Sequence, residues 1–292
     1  MTLHRPLWIC AALALAMLSC TPAVIRAPVP PAPPSLPPQQ VGTAQILMLG
    51  DSQISFGAGG PYIQFLQSLG QTCAGLPPAY ARATAQAIGV RSTALHNWTA
   101  RSAPDRDTIC EVDQTYGVNA GSYGVSSAGL SYVQIGTADY PYCGGGTTPL
   151  KAAADHVDPD LIILAFLGNA TARWQNAGVA RSDWQDAMRQ LPPDLPCMVM
   201  TTIPAFAPAE NQRRRIAQDN LGAAVSASGR CSFAPGITPE TLQAIEGRPE
   251  NFRTDAAGNV TDATHPTAAS AARFLAANQS TLCTGLRAAL TD

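Results

Sequence analysis

The sequence predicts an α/β fold built on a mostly parallel sheet with helices on both faces. Three observations predict it. Residues 46–49 (Ile-Leu-Met-Leu) and 161–167 form continuous apolar runs bounded by turn residues, the pattern of strands buried on both faces. A further apolar run at 198–203 ends at Pro204. Helical patterns fall between and after these runs, and strands alternating with helices imply crossover connections and hence a parallel sheet.

In chain order, residues 44–49 read as the first strand. Residues 61–69 read as a helix opened by Pro61 in its first turn. Residues 77–87 are a second helical candidate, leading into a short strand at 88–91. From 98 to 149 there is no sustained periodicity. The stretch is rich in Gly, Ser, Tyr and Asp, contains Cys110 and Cys143, and is too long for a simple connection. It reads as an insertion pinned by cysteines, with short strands around 132–135. Regular patterning returns with the strand at 161–167. A helix follows at 182–191, with Ser182 as its cap, then the strand at 198–203. A long helix at 209–228 is stopped by Gly229, a short strand lies at 231–234, and a last helix at 267–279. No internal repeat is visible.

With 292 residues the chain has room for one sizeable core or two small ones. Its 18 basic and 20 acidic residues give a net charge of −2, and Lys151 is the only lysine, so no stretch suits nucleic acid. The densest positive run, Arg213-Arg214-Arg215, falls in a helical segment with Glu210 and Asp219 and reads as a solvated helix face.

The N-terminus carries Arg5 and then an apolar run over 7–18, the length of a signal-peptide core and short for a membrane span. It ends at Met17-Leu18-Ser19-Cys20, which resembles a bacterial lipoprotein signal, in which the Cys is lipidated and becomes N-terminal. An ordinary cleavable signal is the alternative. Residues 22–40 are dense in proline and read as a semi-rigid spacer. The expected organisation is a signal peptide at 1–20, a proline-rich linker at 21–42 and a globular domain at 43–292 with the insertion at about 98–149. The expected location is the bacterial cell envelope, with a lipid anchor at Cys20. Six cysteines remain beyond the signal: Cys73, Cys110, Cys143, Cys197, Cys231 and Cys283. An even count in an exported chain suggests disulfides, although six allow 15 pairings. There is no CxxC spacing, and His96, His156 and His265 are scattered, so no metal is expected. The sequons at Asn97, Asn169 and Asn278 read as incidental.

The chemistry sits in three short segments. Gly50-Asp51-Ser52-Gln53 follows the first strand, which puts a serine where α/β folds keep their active sites. Asp262-Ala263-Thr264-His265-Pro266 places an Asp and a His three residues apart in a loop before the last helix. A serine hydroxyl needs a base to take its proton, and the base needs an orienting group. Gly168-Asn169 directly follows the third apolar strand, where an amide N–H can meet a developing oxyanion. Each segment alone is an ordinary turn. Together they fall at the strand ends and loop that the chemistry needs.

On these residues the chain resembles the SGNH hydrolases, the GDSL family of esterases and lipases, over roughly residues 44–278. The resemblance implies a flavodoxin-like three-layer α/β/α sandwich with a central five-stranded parallel sheet. It implies Ser52 as nucleophile, His265 as base, Asp262 as its orienter and Asn169 as an oxyanion donor. Ala170 stands where the family often has Asp. The family's second-strand Gly falls, by distance from Ser52, on Ser92 in Gly89-Val90-Arg91-Ser92-Thr93; the alternative is Gly124-Val125-Ser126-Ser127-Ala128-Gly129. His96 and Trp98 either line the substrate cleft or pack on the domain, and Arg173-Trp174 are further candidates for its wall. The implied fold makes the strands that begin at Cys197 and Cys231 neighbours, so these two cysteines are expected to pair, with Cys110–Cys143 and Cys73–Cys283 as the remaining bridges. The expected activity is a cofactor-independent serine esterase of the cell envelope acting on small-molecule or glycan esters, O-acetyl groups among them. The rival expectations are an acyltransferase with the same triad and an inactive glycan-binding protein.

Overall fold

The chain is seen here as a computed structural model that describes residues 44–100, 122–126, 131–134 and 147–291. The signal peptide, the proline-rich linker and the Cys110–Cys143 pairing lie outside the described residues.

The apolar runs form strands because each is long enough to pair on both sides and has no solvent-facing side. β1 (Ile46–Gly50) pairs in parallel with β2 (Ala85–Val90) on one side and with β5 (Leu161–Ala165) on the other. β6 (Cys197–Met200) and β7 (Ser232–Ala234) extend the sheet beyond β5, also in parallel. Two strands of the insertion, β3 (Ser122–Ser126) and β4 (Ser131–Gln134), add antiparallel to the β2 edge, giving the order β4-β3-β2-β1-β5-β6-β7. The centre is therefore five parallel strands, and the fold is α/β as expected.

Side chains alternate across each strand, and the two sets enter two separate cores. Leu47, Leu49, Ile88, Val90, Ile162 and Leu164 face one layer of helices: α3 (Leu95–Thr99), α4 (Pro149–Val157), α5 (Ala177–Met188) and α6 (Pro208–Ser228). Ile46, Met48, Ala85, Ala87, Leu161 and Ile163 face the other. That layer holds α1 (Gly59–Gln67), α2 (Leu69–Thr72), α7 (Pro239–Ile245) and the C-terminal α8 (Ala268–Thr291). Each central strand is buried along its whole length, which is why it reads as an unbroken apolar run rather than as alternation.

Several local readings are corrected. Residues 77–87 hold only a 3-10 turn, Pro78–Tyr80, before β2 begins at Ala85. The alanines there favour a helix intrinsically, but the slot beside β1 is buried and takes them as a strand. The α5 helix starts at Ala177, capped by the Asn176 side chain and not by Ser182. The long helix does end at Gly229, which adopts φ +63. The Asp262–His265 segment is no loop. It lies in β9 (Val260–Pro266), which pairs antiparallel with β8 (Phe252–Thr254) in a separate two-stranded ribbon.

Two of the expected disulfides are present. Cys197 and Cys231 bridge the bases of β6 and β7 with Cα atoms 4.8 Å apart, and Cys73 and Cys283 tie the end of α2 to α8 at 5.2 Å. The second closes a sequence separation of 210 residues against 34 for the first. In the chain-entropy account it therefore constrains the unfolded chain more, about 5 kcal/mol against about 4 kcal/mol.

Candidate active site

The site forms where β1, β2 and β5 end. Gly50 closes β1, and the chain then turns at once into a helical segment beginning at Ser52, with a π-helical turn at Ile54–Ala58 leading into α1. This turn packs hard against the neighbouring strands. A Cβ on Gly89 would meet the Ile54 Cβ at 2.5 Å and the Asp51 carbonyl oxygen at 2.6 Å. A Cβ on Gly50 would meet the Ala165 carbonyl oxygen at 2.8 Å. Glycine at both positions is thus a condition for bringing Ser52 to the sheet end.

The partner arrives from β9. Arg253 of β8 pairs with Asp262, while the adjacent Phe252 pairs with Pro266, so residues 263–265 bulge out of the ribbon. The bulge is folded by its own aspartate: Asp262 Oδ1 accepts the N–H groups of Thr264 (3.1 Å) and His265 (3.0 Å). The spacing Asp-x-x-His then swings the imidazole back onto the same carboxylate, with His265 Nδ1 2.9 Å from Asp262 Oδ2. Its other nitrogen, Nε2, lies 2.9 Å from Ser52 Oγ. Ser52, His265 and Asp262, expected from the sequence as nucleophile, base and orienter, lie in hydrogen-bonded series. Burial disfavours the Asp262 anion, but the His265 N–H, the His265 ring and the Thr264 N–H outweigh it and hold the carboxyl below its ordinary value. Asp262 is therefore ionised at neutral pH, as an orienter of an imidazolium must be.

No family model matches the chain, and no curated protein matches it.

Ser52, only 5% exposed, opens onto a cleft of about 580 Å³ that Arg91, Ser92, Asn169 and residues 261–265 also line. Asn169 stands just beyond β5 in a 3-10 turn, Gly168–Ala170. One of its amide hydrogens goes to the Thr93 carbonyl at 2.9 Å, which sets the plane of the amide and leaves the second to the cleft. Ser92 has φ +59, one of two non-glycine residues with positive φ among the described residues. This conformation costs a residue with a Cβ about 1–2 kcal/mol. The strain sits at the cleft wall, where such strain collects when a turn must present its backbone to a ligand. Gly124 and Ser126, in the alternative segment, lie in β3 alongside β2, and 127–129 fall outside the described residues.

Other candidates are placed elsewhere. Trp98 is 0% exposed, packs edge-on against Phe166 and donates its indole N–H to Thr93 Oγ1. His96 is half-buried on the same short helix, and neither residue is among those lining the cleft. For Trp98 the packing alternative holds, and its expected substrate contact is corrected: the five-residue helix carries the indole into the core. Arg173 and the buried Trp174 both bond to Asp183 on α5, away from the cleft.

Sequence reasoning missed three polar groups beneath the site. Arg214 is not on a solvated face with Arg213 and Arg215. It is 1% exposed, with Nε on Glu210 (3.2 Å) and a terminal N–H donated to the Ile203 carbonyl (2.9 Å). Asp51 is also buried, accepting the N–H groups of Gln53 (2.9 Å) and Leu167 (3.4 Å). Burial pushes its carboxyl above the ordinary value, opposed by those two N–H groups, by Arg214 and by His265. Gln53, buried as well, reaches across to Ile203 and Thr264. The signal for Arg214 was its helical register: it shares a stripe with Asn211, Gln218, Leu221 and Val225, all buried.

Because Asn169 is exposed and makes one bond to backbone, Asn169→Ala is expected to lower kcat by about 100-fold while shifting Tm by no more than about 4 °C. Ser92→Gly is expected to keep activity and gain up to about 1 kcal/mol of stability, whereas Ser92→Val loses both. Steady-state kinetics with thermal melts check both, and a proportionate loss of stability in Asn169→Ala marks it as a turn residue only.

Proposed function

We propose that this chain is a serine esterase of the SGNH type, cleaving esters through Ser52, His265 and Asp262 without a cofactor. The observation that carries the reading is the unbroken hydrogen-bonded series from Ser52 Oγ through the two nitrogens of His265 to Asp262. The strand order supports it: the five parallel strands run β2-β1-β5-β6-β7, the doubly wound order in which ligands bind beyond the strand ends where the order reverses. Ser52 follows β1 and Asn169 follows β5, the two strands flanking that point. The positive φ of Ser92, at the position where the family carries Gly, also supports it.

The chemistry follows from the positions. His265 Nε2 takes the Ser52 proton as Oγ attacks the ester carbonyl, and Asp262 stabilises the imidazolium that forms. The Ser52 N–H, the backbone at Ser92 and the Asn169 amide bind the oxyanion of the tetrahedral intermediate. The intermediate collapses as His265 returns the proton to the departing alcohol oxygen. Water, activated by the same imidazole, then attacks the acyl-serine and frees the acid and Ser52. An intact triad argues against an inactive glycan-binding domain.

The substrate is a small-molecule or glycan ester of the bacterial cell envelope, and the protein is exported and held at the membrane through Cys20. Two disulfides in one chain fit an oxidising compartment. Cys20→Ser is expected to move the protein from the membrane to the soluble envelope fraction with its esterase rate unchanged. Wild-type protein that is already soluble, with an N-terminus beyond Cys20, rules out the anchor.

Short p-nitrophenyl esters test the activity. Ser52→Ala and His265→Ala are each expected to remove most of kcat, with the double variant little worse, because the two groups act as a unit. Full activity in Ser52→Ala excludes the mechanism.

A further inference from the structure

We propose that Gln53 is a positioning residue: its buried amide latches the His265 bulge to the nucleophile turn and thereby sets the Ser52–His265 distance. The inference rests on the esterase reading above and goes beyond it, to a residue that touches no reacting atom.

Gln53 immediately follows the nucleophile, so its backbone moves with Ser52. Its own N–H is fixed on Asp51 Oδ1 at 2.9 Å. Its side chain makes three long-range contacts. Oε1 accepts the Ile203 N–H at 2.9 Å, and Nε2 faces the carbonyls of Ile203 and Thr264, each at 3.3 Å. Thr264 is the residue before His265, in the bulge that carries the imidazole. The amide therefore uses both its ends: the acceptor grips the segment after β6, and the donors grip that segment and the bulge. Ile203 is gripped a third time, because Arg214 donates to its carbonyl.

The position explains the polar groups below the site. A Cβ on Gly168 would sit 3.6 Å from Asp51 Oδ2, 3.7 Å from an Arg214 nitrogen and 4.0 Å from Gln53 Nε2. The three side chains thus meet under the turn that presents Asn169. Four backbone segments converge there: the nucleophile turn, the end of β5, the segment after β6 and the His265 bulge. Of these, the bulge is held least by its own element, since it leaves the ribbon pairing. Its ties beyond the ribbon include the Ala263 carbonyl to the Phe206 N–H (2.9 Å), the internal Asp262 bonds, the His265–Ser52 hydrogen bond and the Gln53 contact. Besides the His265–Ser52 hydrogen bond itself, the Gln53 contact joins the bulge to the nucleophile's own segment. An apolar residue of the same volume would fill the space but remove the Gln53 donor from the Thr264 carbonyl and leave the buried Ile203 carbonyl to Arg214 alone, and the bulge would relax away from Ser52.

The test is Gln53→Met in the full chain, read three ways. The expected result is a fall of ~10- to 100-fold in kcat for a short p-nitrophenyl ester, with KM changed by less than about threefold. A shift of the His265 Nδ1 proton resonance in the NMR spectrum is expected alongside it. Gln53→Glu provides the conservative arm. Burial beside Asp51 favours its protonated carboxyl, which keeps an acceptor for Ile203 and one donor, so part of the lost kcat returns. The NMR readout needs no substrate, so it tests the latch even if the wild type hydrolyses none of the esters, a result that would count against the esterase reading. The latch is overturned if folded Gln53→Met keeps kcat within about twofold and an unshifted His265 signal. It is equally overturned if both variants lose activity only in proportion to their folded fraction.

Discussion

The hydrogen bond between Ser52 and His265 joins residues 213 positions apart, and the fold has to deliver both ends to within 2.9 Å. Neither end is placed by its own side-chain chemistry. Ser52 is where it is because β1 pairs on both sides and ends in a glycine that can graze Ala165, with Gly89 giving way to the following turn. His265 is where it is because a ribbon outside the main sheet shifts register twice, and the shift between Phe252 and Arg253 bulges residues 263–265 toward the strand ends. The Asp262 carboxylate then converts a flexible excursion into a fixed one by accepting two backbone N–H groups and the ring.

Such an arrangement has a cost that a purely structural core would avoid. Arg214 is buried, and removing its charge from water costs several kcal/mol even after relaxation, while burial pushes the Asp51 carboxyl above its ordinary value. Glu210, the Ile203 carbonyl and two backbone N–H groups offset part of it. Apolar residues of similar volume would give a core at least as stable. They would not carry directional bonds between the Ser52 turn and the strand ends around it, and preorganised donors are what the proposed acyl-transfer chemistry needs. The strained Ser92 backbone at the same cleft belongs to the same exchange of stability for geometry.

Much of this was legible in the sequence for a physical reason. β1 and β5 are buried on both faces, so their residues are apolar without exception, and burial of that kind leaves an unmistakable run. Ser52 and Asn169 were legible because each follows the end of such a run, and Asp262 and His265 because of their Asp-x-x-His spacing. The misreadings came where tertiary context overrides local preference. Residues 85–87 extend a helical composition but already occupy the sheet slot of β2. Trp98 reads as a loop aromatic but is carried inward by a single helical turn. Arg214 sits in a triplet of arginines whose two flanking members are exposed, and only the helical register separates it from them. The β9 bulge depends on pairing with a three-residue strand too short to announce itself.

The most direct measurement is reaction of the purified chain with a fluorophosphonate, followed by peptide mapping of the adduct. The account predicts one phosphonyl group per chain, on Ser52, with labelling lost in His265→Ala although Ser52 is retained. An adduct on any other residue, or undiminished labelling of Ser52 without His265, contradicts it.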